Sequence, residues 1–395
     1  MAEDRNSSRK PSENTPPSGN PRPRVLSGMR PTGKLHLGNY MGALANWVKM
    51  QDQYDCYFFI ADWHALTTDY ADTSQVAPST LEVILDYLAA GLDPEKSVLF
   101  LQSRVPQHSE LFLIFSMITP LGWLERVPTY KEQQENLTGK DLSTYGFLGY
   151  PLLQAADILV YQAQFVPVGQ DQVAHVELTR EVARRFNSLY PKKYGVKGIG
   201  VLSEQEAFAD VLKGAPFEAG TPVVELGRLE AVLPEPQALL TPSPKLPGTD
   251  GRKMSKSYGN TILLSDPETV VRQKLKTMVT DPARIRRSDK GDPDKCPVGD
   301  LHKLFSSPET LAKVYDGCRS AGIGCIECKG WAADSLVQVL QPIQDRRTGL
   351  TEAIAKEILF EGSQRASVRA EQTMVEVREA MQLTYSTVGP ANGNS

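Results

Sequence analysis

The sequence predicts an α/β protein, a doubly wound parallel sheet followed by a mostly helical domain, and three observations carry that prediction. From Arg24 onward short apolar runs alternate with longer helical patterns, as they do where crossover helices join parallel strands. A glycine-rich turn follows the first of these runs directly and leads into a helix. From about Pro267 to Thr384 the patterning becomes almost wholly helical, which marks a second domain.

Residues 1–22 are rich in Ser, Pro, Asn and charge and nearly free of aliphatics, so they read as a disordered tail that cannot offset the entropy of ordering. Residues 23–266 form the sheet domain. Val25-Leu26, Tyr57 to Ala61, Val98 to Leu101 and Phe165 to Val168 read as buried strands, and Leu81 to Leu92 as a helix between them. Ala174, Leu178, Val182 and Phe186 recur every four residues and predict a helix after the fourth strand. Residues 192–246 are broken by Pro and Gly and read as an insertion, with Glu204 to Phe208 a short helix. In the helical domain, 267–386, Thr373 to Leu383 is the last helix; residues 387–395 are a flexible tail. Such a Rossmann-like sheet holds its ligands beyond the carboxyl ends of the strands.

At 395 residues the chain has room for two or three domains, each burying its own core. With 41% hydrophobic and 23% charged residues it has the proportions of an ordinary soluble protein. No apolar run approaches the roughly 18 residues of a membrane span, and the N-terminus lacks the apolar stretch of a secretory signal. The expected compartment is the cytoplasm. The net charge of -4 says little about partners. Locally, Lys274, Lys276, Arg284, Arg286 and Arg287 face only Asp281 and Asp289, which suits either a phosphate-facing surface or a solvated helix face.

Two motifs carry chemistry. In SGMRPTGKLHLGNYMGAL (Ser27 to Leu44), Gly28, Gly33, Gly38 and Gly42 let backbone come close to a ligand. The helix that follows presents free N–H groups to phosphate, and His36 and Asn39 lie on the turn with side chains able to donate to phosphate oxygens. Far downstream, KMSKS (Lys253 to Ser257) follows a flexible Gly248-Thr249-Asp250-Gly251 lead that lets two lysines swing over a triphosphate. Either motif alone is weak, since a tight turn or a surface loop explains it. The pair, in this order and with a nucleotide-type sheet between, is specific.

On these residues, together with IADWHALT (Ile60 to Thr67), GYPLLQAADILVY (Gly149 to Tyr161), VPVGQDQVAHVELTR (Val166 to Arg180) and GRKMSKS (Gly251 to Ser257), the chain resembles the class I aminoacyl-tRNA synthetases, and among them the bacterial tryptophanyl-tRNA synthetases. The resemblance runs from about Val25 to Leu383. It implies a ligase that activates L-tryptophan with ATP, usually with Mg²⁺ on the phosphates, and charges tRNA(Trp). It also implies a homodimer, a catalytic sheet domain and a helical tRNA and anticodon-binding domain. His36, Asn39, Lys253 and Lys256 would be catalytic. Arg30, Pro31, Thr32, Gly38, Asn39, Gly169, Gln170, Asp171 and Lys253 to Ser257, including Met254 and Ser255, would line the ATP pocket.

AADIL (Ala155 to Leu159) sets one carboxylate, Asp157, among small and aliphatic residues. A buried carboxylate is costly until a donor satisfies it, and an indole N–H, which only donates, fills that role. The resemblance gives Asp157 this task, places Tyr150 and Gln172 at the ammonium end of the amino acid, and sets His64 near its carboxylate; the alternatives are a helix cap or core salt bridge for Asp157 and a satisfied core histidine for His64. Gln154 stands where some relatives have Met. Tyrosyl-tRNA synthetases share fold and signatures, but AADIL and the GQDQ turn (Gly169 to Gln172) favour tryptophan. Tryptophan's carboxylate is already ionised, so activation needs no general base and must come from positioning and charge stabilisation.

Four of the five cysteines, Cys296, Cys318, Cys325 and Cys328, crowd together with C-x21-C-x6-C-x2-C spacing. Four thiolates in a cytosolic protein suit tetrahedral zinc or an iron–sulfur cluster, and spacing does not separate them. Some tryptophanyl-tRNA synthetases resemble the chain here and hold a [4Fe–4S] cluster beside the anticodon-binding region, so the resemblance implies that cluster. Cys56 reads as a small core residue. A different class of reading is a synthetase paralogue with a regulatory or partner-binding role. Loss of His36, Asp157 or a KMSKS lysine would favour it, and all are present.

Overall fold

The computed structural model describes residues 22–128, 141–192, 231–240 and 246–384. Nearly all of the N-terminal tail, the C-terminal tail, the helix expected at Glu204 to Phe208 and most of the 192–246 stretch lie outside the described residues. Among them, the strands form one parallel sheet in the order β3-β2-β1-β4-β5. The four predicted strands are there: β1 (Arg24–Met29), β2 (Asp55–Ile60), β3 (Ser97–Leu101) and β4 (Phe165–Val168). In β2 every residue but the first is buried, as expected for a strand covered on both faces.

β5 (Gln237–Leu240) corrects the sequence reading, because it lies inside the supposed insertion and pairs in parallel with β4 from Phe165 opposite Gln237 to Val168 opposite Leu240. It is a four-residue edge strand, half exposed, and so it lacks the buried apolar run that marks the others.

The turn after β1 enters α1 (Leu37–Asn39), a π-helical turn at Tyr40–Leu44 and α2 (Ala45–Met50). α3 (Asp62–Asp69) follows β2, and α4 (Val76–Ala90) begins earlier than predicted and ends on Gly91 at φ +111°. That left-handed C-cap suits glycine because a Cβ there is strained. α5 (Gln107–Ile118) and α6 (Leu121–Glu125) follow β3; α7 (Tyr145–Val160) and α8 (Val173–Leu189) flank β4. The helical part comprises α9 (Glu268–Thr277), α10 (Pro297–Phe305), α11 (Pro308–Arg319), α12 (Cys325–Thr348) and α13 (Glu352–Ala380).

α13 starts at Glu352, about six turns before the predicted Thr373, since the residues it buries there are largely small: Gly362, Ser363, Ala366 and Ala370. Their size is the point. A Cβ on Gly362 would sit 1.8 Å from the Leu99 carbonyl oxygen, and Ser363 Oγ lies 3.2 Å from the Leu101 amide. The last helix thus seals the β3 edge of the sheet, which would otherwise present unpaired backbone. One apolar core runs from Val25, Trp47 and Phe58 through Leu336, Leu340 and Leu359, so sheet and helical part share it. Among the described residues no helix is long and apolar enough to cross a membrane.

Candidate active site

A cavity of about 360 Å³ opens at the carboxyl ends of β1 and β4, where the strand order reverses, the position at which open parallel sheets bind ligands. Gly28 makes room for it: a Cβ there would lie 2.6 Å from Phe59 Cε1, so only glycine lets that ring cross the floor. Of the expected amino-acid site, His64, Tyr150, Asp157 and Gln172 all line the cavity, together with Gln154. Tyr150 Oη lies 3.2 Å from His175 Nε2, a neighbour that the sequence did not single out.

Asp157 corrects the premise that its carboxylate waits on a ligand. It is 1% exposed and already takes His64 Nε2 on Oδ2 at 2.8 Å, with Gln102 Nε2 (2.8 Å) and His108 Nδ1 (2.6 Å) on Oδ1. His108 Nε2 meets the Tyr161 hydroxyl at 2.7 Å, so both ring nitrogens are occupied, one by Asp157 and the other by Tyr161. Burial alone would raise the carboxyl, but the hydrogen bonds of His108 and His64 outweigh it and hold it at about 2. A carboxylate offers about four acceptor positions; the protein takes three, leaving one on Oδ2 beside the cavity. His64 accordingly lies on Asp157, where the resemblance set it near the substrate's carboxylate. Gln102 and His108 went unpredicted because each sits in a short polar stretch, Gln102-Ser103-Arg104 and Gln107-His108-Ser109-Glu110, that reads as exposed loop or helix surface.

The two signatures meet at the rim. His36 is the N-cap of α1: its Nδ1 accepts from Gly38 N at 3.0 Å, while Asn39 Oδ1 accepts from His36 N at 3.1 Å. This reciprocal cap fixes the tautomer, leaving Nε2–H as the free donor of a ring that burial, with Lys256 adding, pushes down to about 4. A Cβ on Gly38 would lie 2.8 Å from His36 Cε1, so the glycine of HLGN is what lets the ring fold back. The Asn39 carbonyl is thereby committed to the cap.

Downstream, Leu37 N donates to Ile262 O and Leu264 N to Leu35 O, both at 2.9 Å, so backbone bonds stitch the HLGN turn to the segment after KMSKS. Lys256 Nζ rests on the carbonyls of Thr32 and Gly33 at 2.8 Å each. Burial lowers its ammonium to about 8, with Asp86 opposing that shift. Lys253, Ser257, Gln170 and Asp171 are exposed, and Ser255 and Gly169 half-buried. Met254, expected among the ATP contacts, instead buries its side chain in the core and anchors the loop. Arg30 turns to Thr68 and to Asp69 on α3, beside the buried Pro31.

The four cysteines gather where α10, α11 and α12 meet. Burial, followed by repulsion from Cys296, Cys318 and Cys325, pushes the Cys328 thiol up to about 12. Cys318 Sγ lies 3.7 Å from Arg284 Nη1, and Cys328 Sγ 3.4 Å from His302 Nε2. Among the described residues no three His, Cys, Asp or Glu side chains are drawn together closely enough to hold a metal ion. The basic stretch also separates: Lys274 is bound to Asp266 at 2.6 Å and Arg284 is buried under the thiols, while Lys276, Arg286 and Arg287 remain exposed. Cys56 is a buried core residue of β2, as expected.

Residues 18–341 match the family of class I tRNA synthetases for tryptophan and tyrosine. The chain is 52% identical to the tryptophan–tRNA ligase of Ralstonia nicotianae, covering 92% of this chain and 99% of that one. It is 48% identical to the tryptophan–tRNA ligase of Thermotoga maritima, covering 92% and 100%. Among solved structures it is similar to tryptophanyl-tRNA synthetase from Campylobacter jejuni complexed with ADP and tryptophan, at TM-score 0.74 and 29% identity over 91% of this chain and 99% of that one.

Proposed function

Because the chain belongs to the class I tRNA synthetases for tryptophan and tyrosine and acts as a tryptophan–tRNA ligase, we propose that its cavity takes the indole against Asp157 and its rim takes ATP between the two signatures. The observation that carries this reading is Asp157 itself. A fully ionised carboxylate with one remaining acceptor position accepts an indole N–H, and its three protein donors keep it from accepting a proton in its place. A side chain without that N–H leaves the position unpaired in a desolvated pocket.

In activation, a carboxylate oxygen of tryptophan bonds to the α-phosphorus of ATP while the bond to the β-phosphate oxygen breaks and pyrophosphate leaves. His36 Nε2–H donates to phosphate oxygen on one side, and Lys253 and Lys256 approach from the other once Lys256 leaves the Thr32 and Gly33 carbonyls. Asn39 acts by holding His36 through the cap. Tyr150 and Gln172, which line the cavity, take the ammonium in this reading, as the resemblance implies. Arg30, Pro31, Thr32, Gly38 and the Gly169, Gln170 and Asp171 turn border the ATP site. When bound with ATP, Mg²⁺ would supply further neutralisation of the phosphate charge beside His36, Lys253 and Lys256. In the second step a terminal ribose hydroxyl of tRNA takes the tryptophanyl group and AMP leaves.

The helical part, 267–386, is the tRNA-facing domain in this reading, with Arg286 and Arg287 exposed for phosphate. The four thiols of Cys296, Cys318, Cys325 and Cys328, with Arg284 beside Cys318, are the donor chemistry of a [4Fe–4S] cluster, but they stand farther apart here than ligation requires, so a cluster would have to draw them together. Such a cluster would tie the ends of α10, α11 and α12 together, with zinc as the alternative. A homodimer is supported by an exposed apolar strip formed by Leu113 (56%), Met117 (74%) and Leu121 (60%), with Tyr145 beside Phe112.

The test is pyrophosphate exchange assayed with each amino acid in turn. Exchange should depend on tryptophan. Lys256→Ala should lower it by orders of magnitude with tryptophan binding retained, and unchanged exchange in that variant would sink the role of the loop.

A further inference from the structure

The last turn of α12 grips three pieces of the catalytic part at once. Gln344 Nε2 donates to the carbonyls of Leu264 (3.2 Å) and Asp266 (2.8 Å), just past KMSKS. Arg346 Nε donates to Ala89 O at the end of α4, at 2.6 Å. Arg347 reaches Asp86 with one nitrogen and Glu82 with the other. Asp86 is 0% exposed, and its Oδ2 accepts from Leu35 N at 2.7 Å. Leu35 is the residue before His36, and its carbonyl takes Leu264 N at 2.9 Å. The backbone that sets the height of the HLGN turn is therefore held on one side by Asp86 and on the other by the KMSKS-side segment, and the same turn of α12 holds both partners.

Burial pushes the Asp86 carboxyl up to about 6 even with Arg347 beside it. Stripped of that guanidinium it would take a proton and hold Leu35 weakly, since charge-assisted acceptors are the stronger ones. Its charge also reaches Lys256. Neither Asp86 nor Arg347 lines the cavity.

We propose that Asp86 and Arg347 are positioning residues for adenylate formation, through which the helical domain sets the His36 turn against the Lys256 loop. The device acts on the ATP side and leaves the indole pocket alone. Misplacing a reacting group by about an ångström costs on the order of a hundredfold in rate, so a loosened HLGN turn should be visible kinetically.

The experiment measures tryptophan-dependent pyrophosphate exchange with the full-length chain, normalised to titrated active sites so that misfolded protein does not count. Arg347→Gln and Asp86→Asn should each lower kcat per site by about tenfold to a hundredfold with the KM for tryptophan unchanged. The double variant should be no worse than the more affected single one, because both cut the same connection. Arg347→Lys, which keeps a charge on Asp86, should recover part of the rate. Glu82→Gln should leave the rate as it is. If Asp86→Asn does not fold, the two Arg347 variants decide. A normal kcat per site in Arg347→Gln, with only a lowered melting temperature, would reduce the pair to a structural ion bridge and overturn the proposal.

Discussion

Replacing Asp157 by Asn tests the indole pocket most directly. The carboxylate receives three donors, His64 Nε2, Gln102 Nε2 and His108 Nδ1, and has no proton to give. An amide has one oxygen, with about two acceptor positions, and an NH2 that donates. If the oxygen faces Gln102 and His108, the NH2 opposes His64 and meets the indole N–H donor to donor. Losing one charge-assisted hydrogen bond is worth about 1.5–3 kcal/mol, which at about 1.4 kcal/mol per decade predicts tryptophan binding weakened roughly ten- to a hundredfold. The variant should also melt earlier, since breaking a buried charged network typically costs about 3–5 kcal/mol. Equilibrium binding of tryptophan to the folded variant separates the two effects. Wild-type affinity in a protein that melts early would mean that Asp157 braces the core and does not read the indole.

The pH profile of kcat/KM for ATP should fall as pH rises through about 8, because burial depresses the Lys256 ammonium from its ordinary 10.5 and the charge on the phosphates is lost above that value; a profile flat to pH 10 would contradict this. Protein purified under argon should be brown, with visible charge-transfer absorption that Cys328→Ser abolishes, whereas a colourless, zinc-rich sample would refute the iron–sulfur centre. Met117→Asp, on the exposed strip of α5, should shift sedimentation from dimer to monomer; an unchanged coefficient would place the interface elsewhere.

The sheet was legible wherever it is buried on both faces, since β1 to β4 show as apolar runs. β5 escaped because Gln237–Leu240 is an edge strand with only partial burial. Only the end of α13 showed in the sequence, for the opposite reason: its sheet-facing side is Gly362, Ser363, Ala366 and Ala370, which close packing selects and hydrophobic periodicity overlooks. The signature loops and Asp157 could be placed by motif. Their supports could not. Gln102 and His108 reach Asp157 from 55 and 49 positions away, and Lys274 and Arg284 looked like free cations until Asp266 and the thiols were seen to claim them.

The seal that α13 places on β3 has a consequence for synthesis on the ribosome. β3 is complete by Leu101, but the backbone that covers its edge comes from Gly362 and Ser363 near the end of the chain. Until that stretch is made, the nascent chain therefore carries a sheet whose β3 edge is uncovered, a state that favours edge-to-edge association. Pauses upstream of Glu352 should be the ones that recruit chaperones, and a transcript truncated there should yield aggregate in place of a smaller enzyme.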